Sequence, residues 1–226
     1  MSVTILKETT RDPITLMGER AGICYGSDIS DPVKNYKRGL DCIESQHGRV
    51  MEFVNVELVI EGYSSRVIRE WYTHIGGGPT RLQASTRYIN YKNFEYFAPE
   101  SIKAKPEALE AYNGAMQKIA QSYKDMLDSG VPREDAGNIL PLGLFTKIVD
   151  KRNLRSYVDM AHQRLCTRAY HEYRKLMREI MDQLRSYSDE WKTVVDMLFV
   201  PKCVYLSRCP EKNGCGFFDA SRLAKS

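Results

Sequence analysis

The chain has 226 residues, of which 42% are hydrophobic and 27% are charged, a balance that excludes a disordered or membrane-embedded chain and suits one domain. No apolar run approaches the roughly 20 residues that cross a bilayer, and the first residues lack the order of a secretory signal, so we expect a soluble, cytoplasmic protein without a membrane partner. With 33 basic and 29 acidic residues the formal charge is +4, which favours anionic partners such as a phosphorylated metabolite and does not require nucleic acid.

The first half of the chain predicts helices, a strand and a glycine-rich loop. Asp31 is typical of a helix N-cap, and Pro32 suits the first helical position. Densely spaced apolar residues then predict a half-buried strand that Gly62 interrupts, and Ser64 opens another helix. In chain order we predict a helix over 31–45, a strand over 50–63, a helix over 64–74, a helix over 106–128, a helical turn over 132–139, a strand over 144–152 and a helix over 153–187.

The last of these helices is unusually long. Residues 153–187 keep a helical period without a glycine or a proline. At about 1.5 Å per residue the helix would reach about 50 Å, more than a domain of this size needs for its own core, so we expect it to pack against another subunit. No internal repeat or linker divides the chain, and we predict a single domain over 1–226.

The loop "GGGPTRLQASTRYINY", residues 76–91, combines flexible backbone with many hydrogen-bond donors. Arg81 and Arg87 frame Ser85, and guanidinium groups with neighbouring hydroxyl and backbone donors can form a cradle for phosphate. The alternative is a long turn in which the glycines only permit a positive φ. Hydrolase chemistry at Ser85 is disfavoured, because no glycine-flanked elbow surrounds it and His74 is the only histidine near it in sequence.

Cysteine and histidine spacing gives no metal site. Three of the six cysteines lie near the end in "CVYLSRCPEKNGC", at Cys203, Cys209 and Cys215, and this spacing fits no common zinc template. Without an export signal we expect free thiols. The remaining histidines do not have metal-ligand spacing either, and we predict no metal.

Two segments carry a resemblance to a known family. "LQASTRY" contains a Ser-x-Arg-Tyr motif formed by Ser85, Arg87 and Tyr88, and a downstream helix begins Asn-x-Arg at Asn153, with Arg164 eleven residues after the asparagine. Together they resemble the flavin-dependent thymidylate synthases. The similarity runs from about residue 23 to residue 187 and leaves the cysteine-rich tail least covered.

The resemblance implies a fold and a reaction. The fold would be α+β, an antiparallel sheet with long helices, assembled as a homotetramer that shares active sites between subunits. The reaction would convert dUMP to dTMP, with methylenetetrahydrofolate as carbon donor and FAD, reduced by NADPH, as hydride carrier. Members of this family need no enzyme nucleophile on the pyrimidine, in agreement with the missing base near Ser85.

The resemblance also implies roles for single residues. Arg164 would be the catalytic residue, because a fixed cation against the uracil carbonyls stabilises the charge that develops on them when hydride reaches the ring. The residues expected to bind substrate are Glu70, Arg81, Gln83, Ser85, Arg87 and Arg164. The residues expected to bind cofactor are Thr73, His74, Ile75, Asn153, Arg155 and Asp159.

The chain departs from the family pattern at two places. Where relatives have Arg-His-Arg, it has Thr73, His74 and Ile75, and where many have a phosphate-binding arginine it has Gly137. We expect Arg81, or alternatively Arg69, to replace the missing cation. The changes leave two other functions open: a related flavoenzyme that modifies another pyrimidine nucleotide, and a non-catalytic protein that binds nucleotide or RNA.

Overall fold

A computed structural model describes residues 1–218 as an α+β fold, which confirms the predicted class. The strands are β1 (Ser2–Ile5), β2 (Asn55–Ser64), β3 (Thr80–Gln83) and β4 (Phe145–Asn153). The α-helices are α1 (Pro13–Cys24), α2 (Pro32–Glu44), α3 (Ser65–Trp71), α4 (Glu100–Lys103), α5 (Pro106–Asp128), α6 (Arg133–Ala136), α7 (Leu154–Arg164), α8 (His171–Tyr187), α9 (Asp189–Leu198) and α10 (Lys202–Tyr205). None of the helices within residues 1–218 has the length and apolar character required to span a bilayer.

The four strands form one antiparallel sheet in the order β1-β2-β4-β3, so the predicted antiparallel sheet is also confirmed. Two ion pairs give the register of β2 and β4. Lys147 pairs with Glu61 at 3.2 Å and Lys151 with Glu57 at 3.0 Å, so residue numbers rise along one strand as they fall along the other. The alternate residues of β4 are buried, namely Thr146, Ile148, Asp150 and Arg152.

The chain separates into two compact units. Among residues 1–218, the first unit consists of Met1–Ser2, Ile60–Thr73 and Leu82–Val149, and the second of Val3–Val59, His74–Arg81 and residues 150–218. The boundaries fall inside each of the four strands and between Thr73 and His74. The prediction of one domain over 1–226 stays a prediction.

The first unit has its core around Tyr123, which is fully buried on α5. Tyr91 and Leu144 pack in the same cluster. The bounds predicted for this helix, 106–128, are those of α5. Its apolar stripe is only partly covered within the unit, since Met116 and Tyr123 are its two buried residues.

The second unit contains a close helix pair, α1 and α2. A Cβ on Gly18 would lie 1.7 Å from the carbonyl oxygen of Asn35, and one on Gly39 would lie 2.0 Å from that of Ile14. The two glycines therefore permit a backbone approach that no larger side chain allows. The fully buried Trp191 of α9 adds a hydrogen bond from its indole N–H to the carbonyl of Thr10 at 2.8 Å.

The predicted helix starts are confirmed by side-chain caps. The Asp31 carboxylate accepts hydrogen bonds from the backbone N–H groups of Val33 and Lys34, at 2.9 and 3.2 Å, and α2 begins at Pro32. The Ser64 hydroxyl accepts from the backbone N–H of Val67 at the start of α3. In both helices a local oxygen satisfies backbone donors that have no partner within the helix.

The predicted strand over 50–63 is wrong at both ends. A 3₁₀-helix occupies Gly48–Phe53, and β2 begins at Asn55. The strand also continues through Gly62 to Ser64, because Gly62 takes φ +73° and its missing side chain leaves room for the nitrogen of Met1, 2.9 Å from the Cβ position. Gly62 therefore makes room for the N-terminal residue of the same chain and does not end the strand.

The predicted continuous helix over 153–187 is also wrong. Helix α7 ends at Arg164, a turn follows, and α8 starts at His171. Within the turn the Arg174 side chain donates to the carbonyl of Thr167, and Arg168 pairs with Glu211 at 2.6 Å. The break occurs without a glycine or a proline, and neither α7 nor α8 reaches the length of about 50 Å that led us to expect packing against another subunit.

Candidate functional site

The centre of the candidate site in the second unit is a hydrogen bond between two side chains distant in sequence. The Nε of Arg164, the last residue of α7, donates to Nε2 of His74 over 3.0 Å. The guanidinium carbon lies 4.6 Å from the centroid of the Tyr173 ring, within cation–π range. The hydrogen bond and the ring contact together fix the direction of the half-buried guanidinium.

His74 is neutral at neutral pH. Burial, followed by the charges of Arg164 and Arg152, lowers the pKa of His74 from 6.5 to about 4. Because Nε2 accepts a hydrogen bond, the ring proton of the neutral imidazole lies on Nδ1. The edge of the Tyr173 ring system packs near it, with 6.2 Å between centroids. His74 therefore orients the Arg164 guanidinium by accepting its hydrogen bond at Nε2, and its Nδ1–H is a hydrogen-bond donor.

A buried ion pair on β4 supports His74. The Nε and Nη2 of Arg152 each donate to the Asp150 carboxylate at 2.7 Å, and both side chains are fully buried. Arg152 Nη1 also donates to the His74 carbonyl at 3.3 Å and to the sulfur of Met160 at 2.8 Å. Burial, the largest single cause, acts to lower the pKa of Arg152, but the bonds to Asp150 together with the electrostatic effects of Tyr157, Asp150 and Tyr173 raise the pKa overall. This bidentate pair ties the backbone of His74 to the strand.

The glycine loop packs against the start of α7. Asn153 caps that helix by accepting from the backbone N–H of Ser156 at 2.9 Å, and the Ser156 hydroxyl donates to the carbonyl of Gly76 at 2.5 Å. A Cβ on Gly77, which has φ +73°, would lie 2.5 Å from Nδ2 of Asn153. Gly78 has φ +62° with open space around it. At these two positions glycine permits a positive φ, as the alternative interpretation of the loop as a long turn predicted.

The other predicted cofactor residues lie apart from these contacts. Arg155 forms an ion pair with Glu52 at 2.6 Å, and both side chains are exposed. Asp159, one turn later on α7, is exposed, as is Ile75 at 70%. Thr73, in the first unit, is exposed and donates its hydroxyl to the carbonyl of Glu70 at 2.6 Å. Their roles in binding a cofactor stay predictions.

The first unit carries the Ser-x-Arg-Tyr segment. Gln83 donates from its side-chain nitrogen to the hydroxyl of Thr146 at 3.3 Å, which fixes it on the sheet. The Ser85 hydroxyl accepts from the backbone N–H of Arg87 at 3.2 Å and so shapes the turn. Arg87 pairs with Glu134 at 3.1 Å, with both side chains mostly exposed. The three predicted substrate residues thus lie on one strand end and its adjoining turn.

Position 137 lies against this turn. A Cβ on Gly137 would be 3.2 Å from Cβ of Thr86, a tight contact. Arg133, on the short helix α6 just before it, donates to the carbonyl of Tyr88 at 2.9 Å. Arg133 is therefore a cation at this turn that the sequence reasoning did not consider. Arg81 is half-buried on β3 in the second unit, Glu70 is half-buried on α3 in the first, and their substrate roles are likewise untested.

The sequence reasoning also missed the Asp150–Arg152 pair. The signal for it was the alternation of β4, which assigns Asp150 and Arg152 to the same face as Ile148 and Thr146. Two residues of opposite charge on a buried face are expected to pair, because burying an unpaired charge is costly. Among residues 1–218, no group of three or more His, Cys, Asp or Glu side chains is arranged to hold a metal ion.

Comparison with known proteins assigns the family. The sequence model of the thymidylate synthase complementing protein family matches residues 5–188. A flavin-dependent thymidylate synthase of Pyrococcus abyssi is 32% identical over 170 residues, which cover 74% of this chain and 69% of the relative. Proteins with the same name from Geobacter sulfurreducens and Nitratidesulfovibrio vulgaris are 30% identical over 190 residues (80% and 81% covered) and 25% identical over 229 residues (89% and 88% covered).

A family match over most of the chain, together with relatives of about 30% identity, defines the class of this protein. The chain belongs to the thymidylate synthase complementing protein family and is an enzyme. The resemblance carried by the Ser-x-Arg-Tyr and Asn-x-Arg segments is thereby confirmed.

Proposed function

We propose that this enzyme methylates dUMP to dTMP, with FAD as flavin cofactor, methylenetetrahydrofolate as carbon donor and NADPH as reductant. The names of the relatives support thymidylate synthesis and a flavin. The structural observation that supports the proposal best is the half-buried Arg164, held by His74 and Tyr173 beside a cavity of about 460 Å³.

Arg164 has the role of the electrostatic catalyst in this proposal. Its orientation is set before substrate arrives, by the bond to His74 and by the Tyr173 ring. A preoriented cation stabilises charge that grows on carbonyl oxygens during the reaction more than it stabilises the uncharged ground state. It therefore lowers the barrier as hydride reaches the pyrimidine ring.

The donor set around His74 fits a planar ligand with carbonyl oxygens, such as a flavin or a pyrimidine. The neutral imidazole offers an Nδ1 donor and Arg164 offers a guanidinium, while the fully buried Tyr173 ring supports that guanidinium from the protein interior. In the proposal, His74, Asn153 and Arg155 hold the flavin, with Thr73, Ile75 and Asp159 contributing to that site. When bound, the flavin supplies hydride-transfer chemistry that no side chain of the protein has.

In the proposal, the remaining predicted residues bind the nucleotide. Gln83, Ser85 and Arg87 hold its phosphate and sugar through side-chain and backbone donors, with Arg81 as the replacement cation and Glu70 at the nucleotide. Phosphate recognition by guanidinium and N–H donors is the chemistry that these residue types provide. We also propose a homotetramer with active sites shared between subunits, as the family resemblance implies. Native mass spectrometry measures that state directly.

The decisive experiment is reconstitution. The protein is incubated anaerobically with dUMP, methylenetetrahydrofolate, FAD and NADPH, and the nucleotides are separated and identified by mass. Formation of dTMP, absent when the folate is omitted, supports the proposal. Bleaching of the flavin absorption by NADPH without any dTMP contradicts it and points to another pyrimidine nucleotide as substrate.

A further inference from the structure

The cavity of about 460 Å³ beside Arg164 also brings together cysteines from two distant parts of the chain. It lies between the C-terminal end of α7, the turn that follows, and residues 202–218. Cys203, Cys209 and Cys215 of the tail line it, and the fold adds Cys166 from the turn. All four are free thiols. The thymidylate chemistry proposed above uses none of them.

Cys209 and Cys215 are positioned as neighbours. The Sγ of Cys209 lies 3.3 Å from the place that a Cβ on Gly214 would take, and Gly214 directly precedes Cys215. The Cys209 sulfur is therefore in contact with the residue next to Cys215, and a disulfide between the two cysteines would require their Cα atoms to lie within about 4.4 to 6.8 Å of each other. Gly216, with φ +76°, gives the backbone on the other side of Cys215 local freedom.

The thiols differ in reactivity. Cys215 is exposed, and its pKa is lowered by a hydrogen bond from the Thr167 side chain, by the backbone N–H of Phe217 and by the charge of Arg168. Burial raises the pKa of Cys203, and the neighbouring thiols add to that effect. The cavity thus contains one exposed thiol with a lowered pKa, Cys215, and one with a raised pKa, Cys203, and this difference favours Cys215 as the attacking cysteine.

The lining is also cationic. Arg164, Arg168 and Lys202 face the cavity, and Glu211, which pairs with Arg168 at 2.6 Å, is the one carboxylate among the lining residues within 1–218. Positive charge favours a thiolate and attracts anionic reagents. A metal role for the cluster is not supported, since the described part of the chain contains no suitably arranged ligand group.

We propose that this cavity is a site of thiol–disulfide exchange with small anionic disulfides, in which Cys215 attacks and Cys209 resolves. In the first step the Cys215 thiolate forms a bond to one sulfur of the small disulfide, whose S–S bond breaks and releases one thiolate. In the second step Cys209 gives up its proton and attacks the Cys215 sulfur, which releases the second thiolate. The two cysteines are oxidised to one disulfide and the small disulfide is reduced to two thiols.

The test uses dithiobis(nitrobenzoate), an anionic disulfide that releases coloured nitrothiobenzoate, at one equivalent per chain. All variants carry Cys24→Ser, which removes an exposed thiol outside the cavity. The parent should release two nitrothiobenzoate ions per reagent and end with a Cys209–Cys215 disulfide in peptide mass mapping. Cys209→Ser should release one and keep the adduct on Cys215. Cys215→Ser and Cys215→Ala should slow the reaction by about tenfold or more, because the stabilised thiolate is lost.

Cys42→Ser, at a buried thiol elsewhere, is the control that should leave the rate and the stoichiometry unchanged. A lasting adduct in the parent, loss of the adduct in Cys209→Ser, or an unchanged rate in the Cys215 variants overturns the proposal. Added salt should slow the parent reaction, because it screens the cations from the anionic reagent. A salt-independent rate overturns the preference for anionic disulfides. These readouts measure thiol chemistry alone, so they do not depend on whether dTMP is made.

Discussion

Arg164 and His74, ninety positions apart in the sequence, share a hydrogen bond of 3.0 Å in which the guanidinium donates and a neutral imidazole accepts. The bond sets the direction of the guanidinium, while burial and the charges of Arg164 and Arg152 lower the pKa of His74 and keep its imidazole uncharged. The first two predictions rest on this pair.

The first prediction concerns Arg164→Lys. Lysine keeps the charge but loses the planar guanidinium and its Nε donor, so it cannot be oriented by His74 in the same way. We expect the rate of dTMP formation to fall by about 100- to 1,000-fold, the usual effect of removing one preorganised donor to a developing oxyanion. Arg185→Lys on the exposed face of α8 is the matched control and should retain full activity. Equal rates in the two variants would contradict a catalytic role for Arg164.

The second prediction concerns pH. Because the pKa of His74 is lowered from 6.5 to about 4, the unfolded chain binds a proton between these values that the folded chain does not. The contribution of His74 to the free energy of unfolding is therefore fully present above pH 6.5 and is lost as the pH falls toward 4. Urea unfolding at several pH values should show a shallower decline for His74→Asn, which does not titrate, than for the unaltered chain. The exposed His47→Asn is the control and should decline as the unaltered chain does.

The third prediction compares two glycines of the loop. Gly77→Ala and Gly78→Ala both place a Cβ at positive φ, which costs about 1 to 2 kcal/mol. At Gly77 the new carbon would also lie 2.5 Å from the Asn153 side chain, whereas at Gly78 it meets open space. We expect Gly77→Ala to lower the free energy of unfolding more than Gly78→Ala. Equal losses in denaturant titrations would show that the contact with Asn153 does not constrain the loop.

The fourth prediction concerns the buried ion pair. Asp150→Asn leaves the Arg152 charge buried with a weaker partner, and we expect a loss of about 3 to 5 kcal/mol in the free energy of unfolding. Asp196→Asn, at an exposed pair with Arg185, should cost at most about 1 kcal/mol. Replacing both buried residues with apolar ones, as in Asp150→Leu with Arg152→Met, should recover part of the loss. A double variant less stable than Asp150→Asn would contradict the electrostatic explanation.

The fifth prediction concerns the replacement cation. If Arg81 binds the nucleotide phosphate, Arg81→Ala should weaken dUMP binding by about 1.5 to 3 kcal/mol, the usual worth of a hydrogen bond to a charged group. Isothermal titration calorimetry with dUMP measures this. Arg20→Ala on α1 is the control and should bind as the unaltered chain does. Unchanged affinity in Arg81→Ala would remove Arg81 from the substrate site and direct attention to Arg69 and Arg133.

Local chemistry accounts for the elements that the sequence predicted well. Asp31 with Pro32, and Ser64, supply cap groups within three residues of the backbone donors they satisfy, so the starts of α2 and α3 are readable without the rest of the fold. The period of α5 is regular enough to give its bounds. The family was also readable, because the Ser-x-Arg-Tyr and Asn-x-Arg segments are short and specific.

The sequence by itself determined the α+β class, the caps, the family and Arg164 as the residue of greatest interest. Only the tertiary structure decided where the helix after Asn153 ends, that Gly62 lies inside a strand, that Asp150 and Arg152 neutralise each other, and that four cysteines line one cavity. The physical reason is the range of the interactions. Caps and periodicity act over a few residues, whereas the bond from Arg164 to His74 and the thiol cluster join groups whose distance depends on the whole folded chain.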